Sequence, residues 1–299
     1  MLQTFDERNR DLTVSVNGHL VHRDRAAISP FDSAVQGGDA VWEGLRLYQG
    51  KIFRLAEHLA RLRRSAAALA FASVPSDEEI TGQIRAALRA NEMTDNVHIR
   101  LTLTRGVKIT SGMDPRLNQS GPTLIVLAEH KLPVYDQSGI TLVTASVRRP
   151  PPDCLDPKIH HNNLLSSILA KIEANVAGAD DAVMLDQRGF VAETNATHLF
   201  LVAGGRLATP ATVACPEGIT RAAVLELVEG AGIGCDVGDL SLTQFYAADE
   251  VFVTGTMGGL TPVTAIDGRT LGGGSPGPVT LRLTALFADL TACSGTSVV

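Results

Sequence analysis

The first strong pattern in the chain is an alternation of apolar and polar residues, LTVSVNGHLV, over Leu12–Val21. Asn17-Gly18 lies at its centre, and this pair favours the two-residue turn of a β-hairpin. A second alternation, VHIRLTLTR over Val97–Arg105, predicts a strand with one apolar and one polar face. TLIVLAE, over Thr123–Glu129, predicts a short buried strand. We therefore expect a β-meander to start the fold.

Helical periodicity appears next. Leucines and alanines recur at helical spacing within Arg54–Phe71, which predicts an amphipathic helix. SDEE is a capping-box signature that opens a second helix, over Ser76–Leu88. Lys158 precedes another apolar stripe and is interpreted as opening that helix. Pro278–Leu290 predicts a closing helix, and the tail after Cys293 is expected to be loose.

A chain of 299 residues with 44% hydrophobic content can bury two cores. The polar segment HKLPVYDQSG carries proline and glycine and marks the best boundary. We predict a small N-terminal α/β domain over 1–130, a linker over 131–139, and a larger C-terminal α/β domain over 140–299. RRPPPDCLD, over Arg148–Asp156, is predicted to be a loop leading to Lys158, because its proline run excludes a helix and a regular sheet.

Charge and cysteine content exclude several classes of function. A formal net charge of -6 and a pI near 5.7 argue against a nucleic-acid partner. The polar N-terminus lacks a signal peptide, and no later apolar run reaches the length of a membrane span, so we expect a cytoplasmic protein with no membrane partner. The four cysteines show no CxxC pair or zinc-type spacing, so neither disulfides nor a metal is expected.

Two residues carry the candidate chemistry. Lys158 stands beside the polar run HHNN, and Glu193 stands in a polar run between two predicted strands. A partly buried amine becomes a nucleophile toward carbonyls and can hold an aldehyde cofactor as a Schiff base. Pyridoxal phosphate fits best, because its pyridine nitrogen needs an acidic partner. Each residue taken alone is more often simply solvated.

Other candidate positions also have simpler structural explanations. Gly218 precedes a helix beginning at Ile219 or Thr220, whose free N–H groups could bind phosphate, although many such starts bind nothing. A single tryptophan such as Trp42 more often packs in a hydrophobic core than lines a substrate pocket. The polar face formed by His98 and Arg100 could be solvated, or it could bind an anionic substrate. The segment EVFVTGTMGGL carries the pair Gly258-Gly259 near its end. This glycine pair could simply form a turn without binding anything.

Several motifs occur together in one order: NNLLSSILAKIEA after Lys158, then AGADDAVMLD, GFVAETNATHLFLV, GITRAAV and ADEVFVTGTMGGLTPV. Over about residues 17–290 the chain thereby resembles the class IV, or fold-type IV, PLP-dependent aminotransferases. That group includes branched-chain aminotransferases, D-amino-acid transaminases and aminodeoxychorismate lyases. The resemblance implies a mixed α/β (α+β or α/β) two-domain fold with the active site between the domains, and a homodimer or higher homo-oligomer.

The resemblance also implies a role for each matching residue. Lys158 would be catalytic and would form the Schiff base, and Glu193 would be the partner of the pyridine nitrogen. Other residues would bind the cofactor phosphate: Arg61 of EHLARL, Gly218, Ile219 and Thr220 of GITR, and Thr256. The substrate would be bound by Trp42, His98, Arg100, Met257 and Gly258.

We predict a transaminase that moves an amino group between a hydrophobic or branched-chain L-amino acid and 2-oxoglutarate. A D-amino-acid transaminase and a lyase that releases pyruvate without an acceptor are the alternatives. A third alternative is a non-catalytic interaction protein, which would be colourless when purified because it would bind no pyridoxal phosphate. The chain also departs from the branched-chain pattern: Gly37, His98 and Asn163 stand where tyrosines are usual, and Pro216 stands in place of a leucine. The substrate therefore stays open.

Overall fold

The computed structural model describes residues 3–299, which divide into two compact units. The N-terminal unit comprises residues 3–132 with Ile159–Asn163 and Thr291–Val299, and the C-terminal unit comprises Pro133–Lys158 and Leu164–Leu290. The strands are β1 Thr13–Val16, β2 His19–His22, β3 Ala40–Tyr48, β4 Lys51–Ile52, β5 Val97–Thr104, β6 Thr123–His130, β7 Ile140–Thr144, β8 Asp181–Leu185, β9 Val191–Thr194, β10 His198–Ala203, β11 Arg206–Pro210, β12 Cys235–Gly238, β13 Glu250–Gly255, β14 Gly259–Ile266, β15 Arg269–Thr270 and β16 Thr296–Ser297. The α-helices are α1 Ser33–Gly37, α2 Leu55–Ala68, α3 Asp77–Ala90, α4 Pro152–Leu155, α5 Leu165–Ala177, α6 Ile219–Gly230, α7 Leu242–Tyr246 and α8 Pro278–Cys293. Short 3-10 helices occupy Glu7–Asn9, Arg23–Arg25, Pro115–Leu117 and Gly272–Gly274.

The N-terminal unit is built on a seven-stranded antiparallel sheet with the order β16-β4-β3-β5-β6-β1-β2. Alternate residues of β3 point to opposite faces. Val41, Leu45 and Leu47 lie in a core that also contains the apolar residues of α2 and α3. Trp42 and Arg46 therefore lie on the other face of the sheet, together with the polar residues of β5.

Several local predictions in this unit are confirmed. The β1–β2 turn places Asn17 at φ 50° and Gly18 at φ 79°, the left-handed values that this turn requires. The capping box of α3 is present: Ser76 Oγ accepts a hydrogen bond from the Glu79 N–H at 3.1 Å, and the Ser76 N–H donates to Glu79 Oε2 at 2.7 Å. The predicted strand β5 ends one residue early, at Thr104.

Predictions for the proline-rich segment and for the C-terminal tail are wrong. The proline-rich segment before Lys158 contains the one-turn helix α4, which begins at Pro152. Proline is tolerated in a first turn, where its missing N–H would have no helical partner. The tail after Cys293 is not loose, because β16 pairs with β4.

The C-terminal unit is built on a nine-stranded mixed sheet, β12-β11-β10-β13-β14-β7-β8-β9, with β15 paired to β14. Its core is formed largely by valine, leucine and isoleucine from these strands. Phe200 of β10 and Phe252 of β13 are fully buried and stack with ring centroids 5.0 Å apart. Two mixed α/β units therefore agree with the predicted fold class. Within residues 3–299, no helix is both long and apolar enough to cross a membrane.

Candidate functional site

Lys158 lies on a turn of the C-terminal unit, where its side chain is exposed. Its backbone N–H donates to Asp156 Oδ1 at 2.9 Å. The expectation that Lys158 opens the following helix is wrong, because α5 begins only at Leu165. The intervening residues contain the polar run that made this lysine stand out in the sequence.

Glu193 lies on β9 and is buried. Its Oε1 is 2.9 Å from Arg149 Nη2, and Arg149 is itself buried. Arg149 also donates to the backbone carbonyl of Ala214 and to Ser167 Oγ, each at 3.2 Å. A carboxylate is stable in a buried site only when a cation or hydrogen bonds compensate it, and Arg149 supplies both. Sequence reasoning missed Arg149, which had been assigned only to the proline-rich loop.

Cys215 and His198 lie beside Glu193. One ligand-type atom from each of the three buried residues falls within 4.8 Å of the others. Burial raises the pKa of the Cys215 thiol, and the Glu193 carboxylate raises it further, whereas the cations Arg149, Arg221 and Lys158 act in the opposite direction. The charges of Lys158 and Glu193 thus act on the same buried thiol. Within this cluster the Glu193 carboxylate is already paired with Arg149.

The first turn of α6 supplies backbone donors. Gly218 is its N-cap residue, and no side chain caps the free N–H groups there. A Cβ atom at Gly218 would lie 2.3 Å from His198 Cδ2, so a larger residue could not occupy this position without a shift. The α6 N-terminus, with Ile219 and the buried Thr220, therefore has the uncapped donors and helix dipole that suit a phosphate.

A second set of groups lies at the end of β13. Thr254 pairs with His198 of β10, and its hydroxyl is buried without a hydrogen-bond partner in residues 3–299. The turn Thr256–Gly258 follows and leads into β14. A Cβ atom at Gly258 would lie 2.8 Å from Tyr135 Cδ2. The tyrosine ring thus packs directly on the backbone of this turn, which contains Thr256, Met257 and Gly258 of the predicted site. The groups that the sequence predicts to bind the phosphate and the ring nitrogen of the cofactor, apart from Arg61, therefore lie in one unit.

Arg61 lies in the N-terminal unit, buried on α2. Its Nε and Nη2 donate to Glu43 Oε1 and Oε2 at 2.9 and 2.7 Å, and His58 Nδ1 lies 2.7 Å from the same carboxylate. Burial raises the pKa of Glu43, but Arg61 and then His160 outweigh it and hold that pKa well below its usual range. The arginine that the resemblance assigns to phosphate is thus also one half of a buried ion pair that the sequence did not reveal.

The predicted substrate residues Trp42, His98 and Arg100 share one face of the N-terminal sheet. The Arg100 guanidinium carbon lies 3.5 Å from the centroid of a Trp42 ring, and Arg100 Nη2 donates to Asn162 Oδ1 at 3.0 Å. Trp42 also stacks on His160, with ring centroids 4.2 Å apart. The segment directly after Lys158 therefore packs on this face: the backbone N–H of Trp42 donates to the His160 carbonyl at 2.9 Å.

Comparison with known proteins identifies the relatives of this chain. The family described as amino-transferase class IV matches residues 40–266. Branched-chain-amino-acid aminotransferase-like protein 2 of Arabidopsis thaliana is 57% identical over 96% of this chain, which spans 52% of the plant protein. A putative branched-chain-amino-acid aminotransferase of Methanocaldococcus jannaschii is 39% identical over 93% of this chain and 96% of that protein. Among solved structures, the T.th. branched-chain amino acid aminotransferase complexed with N-(5'-phosphopyridoxyl)-L-glutamate superimposes with a TM-score of 0.87 at 33% identity, covering 95% of each chain.

Proposed function

Because the chain belongs to the class IV aminotransferases, we propose that it is a transaminase that uses pyridoxal 5'-phosphate. Its proposed reaction moves an amino group between a hydrophobic or branched-chain L-amino acid and 2-oxoglutarate. The observation that carries the proposal is the buried Glu193–Arg149 ion pair, which lies in the same unit as Lys158 and the uncapped start of α6. The L-glutamate adduct of the T.th. relative supports the dicarboxylate half of the reaction.

Each group in the C-terminal unit then has a task. Pyridoxal phosphate, when bound, supplies an electron sink that makes the α-proton of the substrate removable. Lys158 provides the amine that holds the cofactor and takes the α-proton. Glu193, oriented by Arg149, keeps a proton on the ring nitrogen. The N–H groups of Ile219 and Thr220 and the hydroxyls of Thr220 and Thr256 bind the phosphate.

The test of this function is a panel of L- and D-amino acids, each supplied with 2-oxoglutarate or pyruvate as the acceptor. We expect amino-group transfer from L-leucine, L-isoleucine or L-valine to 2-oxoglutarate. Transfer from D-amino acids alone would contradict the proposal, and so would pyruvate release without any acceptor. Transfer from a different class of L-amino acid would retain the transaminase and change its substrate.

We expect Arg61→Ala to lose stability as well as cofactor affinity. Among residues 3–299, removal of Arg61 leaves the buried Glu43 carboxylate with only His58 and His160 beside it, and loss of one partner of a buried ion pair typically costs about 3–5 kcal/mol. The loss of a charged hydrogen bond to phosphate costs roughly 1.5–3 kcal/mol, or about tenfold to a hundredfold in affinity. Urea unfolding and cofactor titration measure the two effects separately. The control is Arg61→Ala combined with Glu43→Gln, which should recover stability but not cofactor affinity. If Arg61→Ala binds the cofactor normally, the arginine is structural and the predicted phosphate contact is wrong.

The proposed homodimer is supported by an apolar stripe on α5. Leu165, Ile168, Leu169, Ile172 and Val176 recur at helical spacing and are between 51% and 85% exposed. A stripe of five large apolar side chains is typical of a surface that another protein covers. We propose that a second copy of the chain covers it. Sedimentation equilibrium should give twice the mass of one chain. The Leu169→Glu substitution should reduce the measured mass toward that of a single chain. A monomeric wild-type protein would refute the proposal.

A further inference from the structure

Tyr135 lies near the start of the C-terminal unit, in the segment that the sequence predicts to be a linker, and its ring packs against the core of that unit. Its hydroxyl donates a short hydrogen bond to Asp181 Oδ2. Burial raises the pKa of Tyr135, and the Asp181 carboxylate raises it further, whereas Thr197 acts in the opposite direction. The hydroxyl therefore stays protonated at physiological pH and can always donate to the carboxylate.

The acceptor of this hydrogen bond is itself held in place. Asp181 lies on β8 and is only 2% exposed. Its Oδ1 lies 3.2 Å from Lys171 Nζ and accepts a hydrogen bond from Asn195 Nδ2 at 3.1 Å. Asn195 is bound to the backbone of β8 in turn, because Ala182 N–H donates to Asn195 Oδ1 at 2.8 Å and Asn195 N–H donates to the Ala182 carbonyl at 2.9 Å. A buried carboxylate with a partner on each oxygen is a rigid anchor for the Tyr135 hydroxyl.

The Tyr135 ring limits what the Thr256–Gly258 turn can contain. A Cβ atom at Gly258 would lie 2.8 Å from Cδ2 and 3.3 Å from Cε2 of this ring, and 3.3 Å from Thr261 Oγ1. The φ angle of Gly258 is not positive, so the backbone conformation there does not itself require glycine. The anchored ring is therefore the main group that excludes a side chain at position 258.

We propose that Tyr135 is a positioning residue for the substrate. Its hydroxyl, anchored on Asp181, holds the ring against the turn and thereby fixes the backbone of Met257 and Gly258, which would bind the substrate. The substrate-binding role of the turn rests on the proposed function, whereas the contact between ring and turn rests on geometry alone. Groups that are already ordered before the substrate arrives lose less entropy on binding, so release of the ring should weaken binding.

The first experiment tests the anchored ring without substrate or turnover. We expect Gly258→Ala to lower the melting temperature of the cofactor-loaded protein by about 2–10 °C, the usual effect of overpacking in a domain of this size. Tyr135→Phe keeps the ring but releases it from Asp181, so Gly258→Ala should have at most about half that effect in the Tyr135→Phe background. Equal losses in both backgrounds would overturn the proposal, because the hydroxyl would then not hold the ring.

Gly238→Ala is the matched control for this experiment. An added Cβ atom at Gly238 meets nothing within 4 Å in residues 3–299, and φ there is not positive either. The substitution should therefore have the same effect in both backgrounds. If Gly258→Ala folds only in combination with Tyr135→Phe, the coupling is demonstrated directly. If neither protein folds, the binding measurement on Tyr135→Phe alone decides.

The second experiment measures binding of isocaproate, which has the carbon chain and carboxylate of leucine without its amine and therefore cannot react. Calorimetric titration of the cofactor-loaded protein should give a Kd about threefold to tenfold higher for Tyr135→Phe than for the wild type, the usual value of one hydrogen bond. Tyr246→Phe is the matched control, because Tyr246 lies in the same unit and its hydroxyl donates to Asp267 Oδ2 at 2.6 Å. This control loses the same kind of hydrogen bond and should keep the wild-type Kd. An unchanged Kd for Tyr135→Phe, or equal increases for both variants, would overturn the proposal.

Steady-state kinetics separate positioning from a role in the chemical step. With L-leucine and 2-oxoglutarate, Tyr135→Phe should raise KM for both substrates, since each has the carboxylate next to its reacting carbon, and should change kcat less than about threefold. A loss confined to kcat would contradict the proposal. A wild-type protein that neither transfers amino groups nor binds isocaproate would refute the proposed function, while the melting experiment would still decide whether Tyr135 holds the turn.

Discussion

Lys158→Ala is expected to abolish amino-group transfer. The lysine is the only residue assigned both to hold the cofactor and to take the α-proton, so no other group remains to perform either step. Removal of a nucleophile that acts as part of a catalytic unit costs roughly a millionfold in kcat. The visible absorbance of the cofactor-loaded protein should also shift, because the cofactor would lose its covalent bond to the protein.

The measurement is steady-state transfer from L-leucine to 2-oxoglutarate, with an absorbance spectrum of each protein after cofactor loading. Lys51→Ala is the control, because Lys51 lies on β4 in the N-terminal unit and has no proposed role. It should keep both the rate and the spectrum. Normal turnover by Lys158→Ala would move the reactive amine to another lysine.

Glu193→Gln is expected to keep the fold and the cofactor while it loses most of the rate. Glutamine has nearly the same shape as glutamate, but it lacks the charge that keeps a proton on the ring nitrogen. The defect should fall on kcat rather than on KM, because this stabilisation is needed mainly in the transition state. Loss of one preorganised electrostatic contact typically costs about a hundredfold to a thousandfold.

The rate at which the substrate α-proton exchanges with deuterated solvent gives the decisive measurement, because it follows proton removal directly. Glu229→Gln, at an exposed position on α6, is the matched control. If α-proton exchange in Glu193→Gln runs at the wild-type rate, Glu193 is not the partner of the ring nitrogen. The thermal stability of Glu193→Gln should also decrease, because Arg149 would then be buried beside a neutral amide.

Local features of the fold could be predicted because they depend on a few neighbouring residues. The Asn17-Gly18 turn requires two positive φ values, and the capping box of α3 requires two side chains within one turn, so short sequence patterns identify both. The position of α4 could not be predicted from the proline run, since Pro152 is compatible with a first helical turn as well as with a loop. The pairing of β16 with β4 depends on residues distant in sequence and has no local signal.

The same distinction applies to the candidate site. Lys158 and Glu193 could be proposed because their residue types suit one kind of chemistry. Their ion-pair partners could not be predicted. Arg149 pairs with Glu193, and Glu43 pairs with Arg61, because folding brings together residues that are distant in the sequence.

The close approach of Gly218 to the His198 ring implies that the residues at these two positions, which are distant in the sequence, should vary together during evolution. A side chain at position 218 would collide with the imidazole, since its Cβ atom would lie 2.3 Å from Cδ2. A mutation of Gly218 would therefore require the imidazole to shift, or His198 to be replaced by a smaller residue. Glycine would stay compatible with many residues at position 198, whereas a bulky residue there would disfavour any larger residue at 218. Genetic suppressors of a Gly218→Ala defect should therefore be found first at codon 198.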